Sequence, residues 1–320
     1  MRMHRTLVLG ASLALVLGSA AVGEAQSALP SGPVGDGVIK VGSAGFYESA
    51  LVAEMYAQAM EAAGLTVERK LSIGPREVTW AAMQDGSDIN LMPEYIGSLL
   101  ETINGNAGEA TSDAAATLAA LATRLGDVDM SVFAQTPAVD TNAFVVTQAT
   151  ADQYSIATLS DLAAVAGDLT WGLPPECVST PLCAGALAEY GIDVATLNVT
   201  ELGACGGEIA AALVSGGVQV GELCSTQPDI AQNGLVVLTD DLGTQPADAL
   251  APVVRNDLLR ALEAQGVDLA AILDPVSSAI TTEDLTALNV RVGVDQEDFD
   301  VVARDFLTSK GLLPGASTTP

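Results

Sequence analysis

The chain has 320 residues, 49% of them hydrophobic and 16% charged, with 40 acidic against 12 basic side chains and a formal net charge of -28. That composition suits a globular protein with room for two domains, and its negative field repels nucleic acid and anionic lipid while attracting cations. The single histidine, His4, stands near the N-terminus, which excludes Ser-His-Asp and Cys-His catalysis and His-ligated zinc or iron from the remainder.

In chain order, Arg2 and Arg5 precede an apolar run over 6–22, and Gly23-Glu24-Ala25 supplies the small residues a signal peptidase reads. The expectation is a cleavable export signal over 1–25. The run is shorter than a bilayer-spanning helix needs, and later apolar runs soon meet Asp, Glu, Gly or Pro, so no stable membrane insertion is expected. The first cysteine is Cys177; with none near the cleavage site to carry a lipid, the expected location is a periplasm.

From residue 38 the pattern alternates strand and helix. Strands are expected over 38–43, 66–73, 89–92 and 130–134, and helices over 48–63, 77–84 and 112–125. In the first helix Leu51, Met55, Ala59 and Ala62 share one face, and Gly64 stops it. The rhythm restarts with strands over 144–147, 169–172, 196–199, 218–223 and 235–238. Between them a capped helix begins at Ser160, and others fall near 184–190 and 208–215. The tail after Ala251 reads as mostly helical, near 257–265, 283–288 and 295–309.

Such alternation implies an α/β fold of parallel-rich sheets flanked by helices. Two blocks and a returning tail predict two lobes, one over 38–137 plus 246–320 and the other over 142–240. Hinge crossings are expected near 136–141 and 239–246. This is the two-lobed periplasmic-binding architecture (type II), whose lobes close around a ligand.

Four cysteines, Cys177, Cys183, Cys205 and Cys224, allow three pairings in an exported chain. Cys177 with Cys183, closing a Pro-rich loop, and Cys205 with Cys224 are the favoured pairs. No C-x-x-C spacing supports a metal, and no cofactor motif is present. Carboxylate-pair hydrolysis is chemically open, but nothing in the chain singles out such a pair, so an enzyme is not expected.

Several segments resemble substrate-binding proteins of osmoprotectant ABC importers, which bind glycine betaine, choline, proline betaine or carnitine. They are Val41-Gly42-Ser43-Ala44-Gly45-Phe46-Tyr47-Glu48-Ser49, Gly74-Pro75-Arg76-Glu77-Val78, Pro93-Glu94-Tyr95-Ile96-Gly97-Ser98-Leu99 and Ala138-Val139-Asp140-Thr141-Asn142. Gly172-Leu173-Pro174-Pro175-Glu176-Cys177, Ser225-Thr226-Gln227-Pro228-Asp229 and Gln245-Pro246-Ala247-Asp248 continue the likeness in the same order. A quaternary ammonium donates no hydrogen bond, so it is held against aromatic faces, while a carboxylate or hydroxyl on it meets polar donors.

The resemblance implies Tyr95 as a cage tyrosine, Ser98 as a hydroxyl donor, Asn142 as a ligand-contacting amide and the turn Gly45-Phe46-Tyr47-Glu48 as cleft lining. Cys224 falls where relatives often place another cage tyrosine, so Tyr47, Tyr95 and Trp171 are the expected aromatic set, with Ser225 and Thr226 as cleft hydroxyls. The implied partners are a small quaternary-ammonium or zwitterionic solute and an ABC permease with its ATPase, and the chain is expected to be a monomer. Two alternatives stay open: another zwitterion, such as an amino acid or a trimethylated histidine derivative, and a periplasmic ligand sensor.

Overall fold

The computed structural model describes residues 38–205 and 207–313; the export signal expected over 1–25 lies outside them. The chain opens with β1 (Ile39–Gly42), α1 (Tyr47–Ala62), β2 (Val67–Lys70), α2 (Arg76–Asp85), β3 (Leu91–Tyr95), α3 (Ile96–Asn104), α4 (Ala114–Gly126) and β4 (Met130–Val132). It then crosses to β5 (Asn142–Thr147), α5 (Gln148–Tyr154), α6 (Leu159–Ala163), β6 (Thr170–Leu173), α7 (Ala186–Glu189) and β7 (Asn198–Glu201). This block ends with α8 (Gly207–Ser215), β8 (Val220–Cys224), α9 (Pro228–Gln232) and β9 (Leu235–Val237). The return brings β10 (Leu250–Arg255), α10 (Asn256–Glu263), α11 (Leu269–Ala279), α12 (Thr282–Asn289) and α13 (Phe299–Ser309).

Two five-stranded sheets result, in the orders β2-β1-β3-β10-β4 and β7-β6-β8-β5-β9. In each, the fourth strand runs against the rest: β10 is antiparallel to β3 and β4, and β5 is antiparallel to β8 and β9. In both cases it is the first strand after a crossing. The two crossings lie side by side, with the Asp140 N–H donating to the Asp248 carbonyl at 3.0 Å and an antiparallel bridge between Val139 and Ala249.

Each sheet carries helices and an apolar core on both faces, as a parallel-rich sheet must. In the first lobe Leu51, Met55, Val254, Leu273 and Phe306 fill one side and Met83, Ile89, Leu99 and Leu121 the other. In the second lobe the layers are built around Phe144, Trp171 and Leu187, and around Val145, Ile209 and Leu213.

Two of the elements that differ from expectation each hold a proline. β10 falls at the start of a tail read as helical. It contains Pro252, which lies in register with Pro93 of β3, and proline ordinarily argues against a central strand. The Pro252 carbonyl still serves the ladder, accepting from Phe133 N–H at 3.1 Å. α11 likewise holds Pro275 inside the helix, where burial of Leu269, Leu273 and Val276 outweighs the lost hydrogen bond. The cap expected at Ser160 belongs to Thr158, whose side chain accepts from Asp161 N–H in a reciprocal capping box.

Candidate ligand cleft

A strongly apolar helix face usually excludes charge, yet Glu48 occupies the first turn of α1 on the side that buries Leu51, Val52 and Met55 and is itself 3% exposed. Its carboxylate accepts three hydrogen bonds: from the Tyr95 hydroxyl at the end of β3, from Thr226 Oγ1 beyond β8 at 2.6 Å, and from Asn289 Nδ2 at the end of α12 at 2.5 Å. Asn289 Nδ2 also reaches the Thr226 carbonyl at 3.3 Å. Thr226 belongs to the second lobe and the other three to the first, so Glu48 ties the lobes together.

Beside it, Asp140 sits in the first crossing and is 7% exposed. Its Oδ1 accepts from Ser225 Oγ at 3.0 Å and from Thr226 N–H at 3.0 Å. Burial raises the Asp140 carboxyl well above its ordinary range, and the nearby Glu48 pushes it further. Glu48 is also raised by burial, against which its three donors pull. The Tyr95 phenol is raised by burial and by Glu48, so it stays a proton donor.

Phe46, Tyr47, Glu48, Asp140, Cys205, Cys224, Thr226, Gln227 and Asn289 enclose a cavity of about 10 Å³. That is space for roughly one water, so an organic solute enters only when the lobes part. Phe46 lies 5.9 Å from the Tyr95 ring between centroids. The Tyr47 ring rests on Gly293, where an added Cβ would come within 3.3 Å of it. The Tyr47 hydroxyl and Asn289 Oδ1 are buried with no hydrogen-bond partner among the described residues.

The structure therefore brings together Phe46, Tyr47, Tyr95, Ser225 and Thr226 of the residues singled out in the sequence. Ser98 lies nearby with a different partner: its hydroxyl and N–H, and Gly97 N–H at 2.7 Å, all bind Asp248. An acid 150 residues away in the chain thus caps α3, and a side chain at Gly97 would crowd it, with a Cβ 3.1 Å from Asp248 Oδ1. Asn142 Nδ2 donates to the Leu182 carbonyl at 3.1 Å. Arg76 pairs with Glu94 at 3.1 Å rather than with its sequence neighbour Glu77.

Trp171 is a correction. It is fully buried in the second lobe's core, edge-on to Phe144 at 6.4 Å, with its indole N–H donating to the Ala166 carbonyl at 3.0 Å. A ring so enclosed has no face to offer a ligand. Both favoured disulfides are present. Cys205–Cys224 forms part of the cleft wall, whereas Cys177–Cys183 lies inside the second lobe with Cys183 Sγ 2.8 Å from Glu222 Oε2.

Asp140 and Asn289 were not among the expected site residues, and Glu48 was expected only as part of the lining turn. A signal for two of them was available. Glu48 is three and seven residues before Leu51 and Met55, and Asn289 is four after Leu285, so each puts a polar group at core-facing helical spacing.

Residues 37–309 match the family model of the substrate binding domain of ABC-type glycine betaine transport systems. The chain belongs to that family. It is 27% identical over 284 residues to the glycine betaine-binding protein YehZ of Escherichia coli (strain K12), covering 85% of this chain and 90% of that one. It is 26% identical to a glycine-betaine-binding protein of Pseudomonas aeruginosa, covering 86% and 88%. A crystal structure of a glycine betaine/carnitine/choline ABC transporter superposes with a TM-score of 0.68 at 25% identity, over 86% of this chain and 99% of that one.

Membership makes the chain a periplasmic solute-binding protein of ABC transport with the two-lobed type II fold, as the alternating pattern and the sequence motifs implied. No helix among the described residues is long and apolar enough to cross a membrane.

Proposed function

We propose that the protein captures a small quaternary-ammonium or betaine-like osmolyte between its lobes and delivers it to a membrane permease driven by an ATPase. The observation that carries this reading is the interlobe cavity, in which aromatic rings of Phe46 and Tyr47 stand beside the buried carboxylates of Glu48 and Asp140. Aromatic faces, and carboxyl groups that an arriving cation draws into their ionised form, are the means by which such a cleft holds a cation that donates no hydrogen bond. Lobe parting about the segments 136–141 and 239–246 would admit the solute, and the bond from Thr226 to Glu48 would re-form as the lobes close. Export by a signal over 1–25, without a lipid anchor, and action as a monomer without enzymatic turnover complete the proposal.

Calorimetric titration with glycine betaine, choline, proline betaine, carnitine and a panel of amino acids tests it. Saturable one-to-one binding of at least one quaternary ammonium, weakened in Tyr95→Ala, is the expected result. Heat only from amino acids would move the ligand class while leaving the transport role in place.

A further inference from the structure

The two acids of the cleft are fastened to opposite lobes. Glu48 lies in the first turn of α1 and is bound by Tyr95 and Asn289, all three in the first lobe. The Asp140 carboxyl is tied to the second lobe, since its Oδ1 receives Ser225 Oγ and the Thr226 N–H. The Thr141 N–H next to it also donates to Ser225 Oγ, at 3.0 Å. Thr226 stands between the acids, giving its N–H to Asp140 and its hydroxyl to Glu48. The two carboxyl groups therefore come together only as the lobes meet.

The space they then share is about 10 Å³, and no lysine or arginine lines it. The titratable groups around it supply no positive charge. Tyr47 and Tyr95 are phenols whose ionisation is opposed by burial, and the acids acting on them include Asp229 of α9 and Asp248, which caps α3. Arg76 is held by Glu94, outside the lining. Confining two carboxylates together away from water is costly, unless one takes a proton or a cation enters.

The hydrogen bonds decide which acid takes the proton. Glu48 accepts on both of its oxygens, so protonation would cost it a bond. Both bonds to Asp140 fall on Oδ1, which leaves Oδ2 free to carry a proton without losing either. Burial and then the charge of Glu48 push the Asp140 carboxyl upward, in agreement.

Resting on the lobe parting proposed above, we infer that Asp140 is a proton-operated gate on closure. Without a cation the lobes close only by taking a proton from solvent onto Asp140 Oδ2, and a captured cation takes that proton's place. With the lobes apart the Asp140 carboxyl is in water and has the ordinary value of about 3.9. Above that value, closure without solute takes up one proton, so its equilibrium constant rises up to about tenfold for each unit of falling pH. Closure over a cation takes up none, so acid works against capture. At neutral pH closure then signals that a cation is inside.

Small-angle X-ray scattering of the full exported chain without solute reads the gate. The radius of gyration should be that of parted lobes at pH 8 and should shrink as pH falls to 5. Asp140→Asn has no charge to gate and should be compact throughout. Glu222→Gln should keep the original response, because that acid titrates inside the second lobe. Circular dichroism melts identify an Asp140→Asn that fails to fold; Glu48→Gln then serves, and should compact at a higher pH than the unmodified chain. Calorimetric titration with choline and glycine betaine should show affinity falling about tenfold or more from pH 8 to 5, and flat in Asp140→Asn. One radius at both pH values in the unmodified chain would overturn the inference. So would a response that survives in Asp140→Asn, that is unshifted in Glu48→Gln, or that vanishes in Glu222→Gln. Absence of binding by both solutes at every pH, with the scattering response intact, would remove the function proposed above and leave the gate standing.

Discussion

Two buried glutamates, one in each lobe, show how the same side chain is put to opposite uses. Glu48 and Glu222 are 3% and 7% exposed. Glu48 sits where the lobes meet and receives donors from Tyr95, Thr226 and Asn289, a set that favours its ionised form against the cost of burial. Glu222 lies on β8 beside the Cys177–Cys183 disulfide, and a disulfide sulfur has no proton to give. The carboxyl must then be the donor, which agrees with burial, and next the charge of Glu176, pushing it up to about 8. Burial alone does not decide the state of an acid; the chemistry of its neighbours does.

The largest effect expected from this contrast is on stability as a function of pH. With its folded value at about 8, Glu222 holds a proton that the unfolded chain releases above about 4.3. Between these values the folded state binds more protons, so stability falls as pH rises, by up to about 1.4 kcal/mol per unit. Glu222→Gln mimics the neutral form and should flatten the decline between pH 5 and 8. Thermal melts of both proteins across that range check it, and parallel slopes would show Glu222 to be ionised in the fold.

Next in size, removing the neighbouring bridge with Cys177→Ser and Cys183→Ser together should cost about 2 kcal/mol, the entropy of a short closed loop. Denaturant titration reads this, and ligand affinity should change little because that bridge stands away from the cleft wall. The comparable change at Cys205 and Cys224 should alter affinity as well.

At Glu48 the sharper probe is Thr226→Val, which keeps shape and deletes the second lobe's donor. Loss of one hydrogen bond to a charged group is worth about 1.5–3 kcal/mol, so solute affinity should fall at least tenfold by calorimetry. A change below twofold would mean that Glu48 does not join the lobes in the bound state. Smallest is Ser98→Ala, which leaves Asp248 its two backbone donors; a loss of about 1 kcal/mol in melting experiments, with affinity unchanged, is expected.

The fold was legible in the sequence where periodicity is undisturbed. α1, β1 and β5 stand close to their expected positions because apolar spacing alone specifies them. β10 and α11 were hidden because each contains a proline that only tertiary packing tolerates. The site divides similarly. Tyr95 ends β3 and Thr226 lies just beyond β8, positions that sequence reading favours for ligands. Trp171 also neared a strand end, but its fate was fixed by Phe144 and the Ala166 carbonyl, partners that no local pattern announces. Asp140 and Asn289 join Glu48 from distant parts of the chain, so their roles exist only once the lobes are assembled.

The position of β10 has a consequence for how the polypeptide comes into being. The second lobe's strands all lie between Asn142 and Val237, whereas β10, the strand that joins β3 to β4 in the first lobe, ends at Arg255. A chain made or translocated from its N-terminus holds everything needed for the second sheet before the first can close. Until then β3 and β4 present unpaired edges, the kind of surface that invites association with other chains. We expect the interrupted lobe to mature last, and the long interval before its closing strand arrives to be the stage at which a holding chaperone matters most.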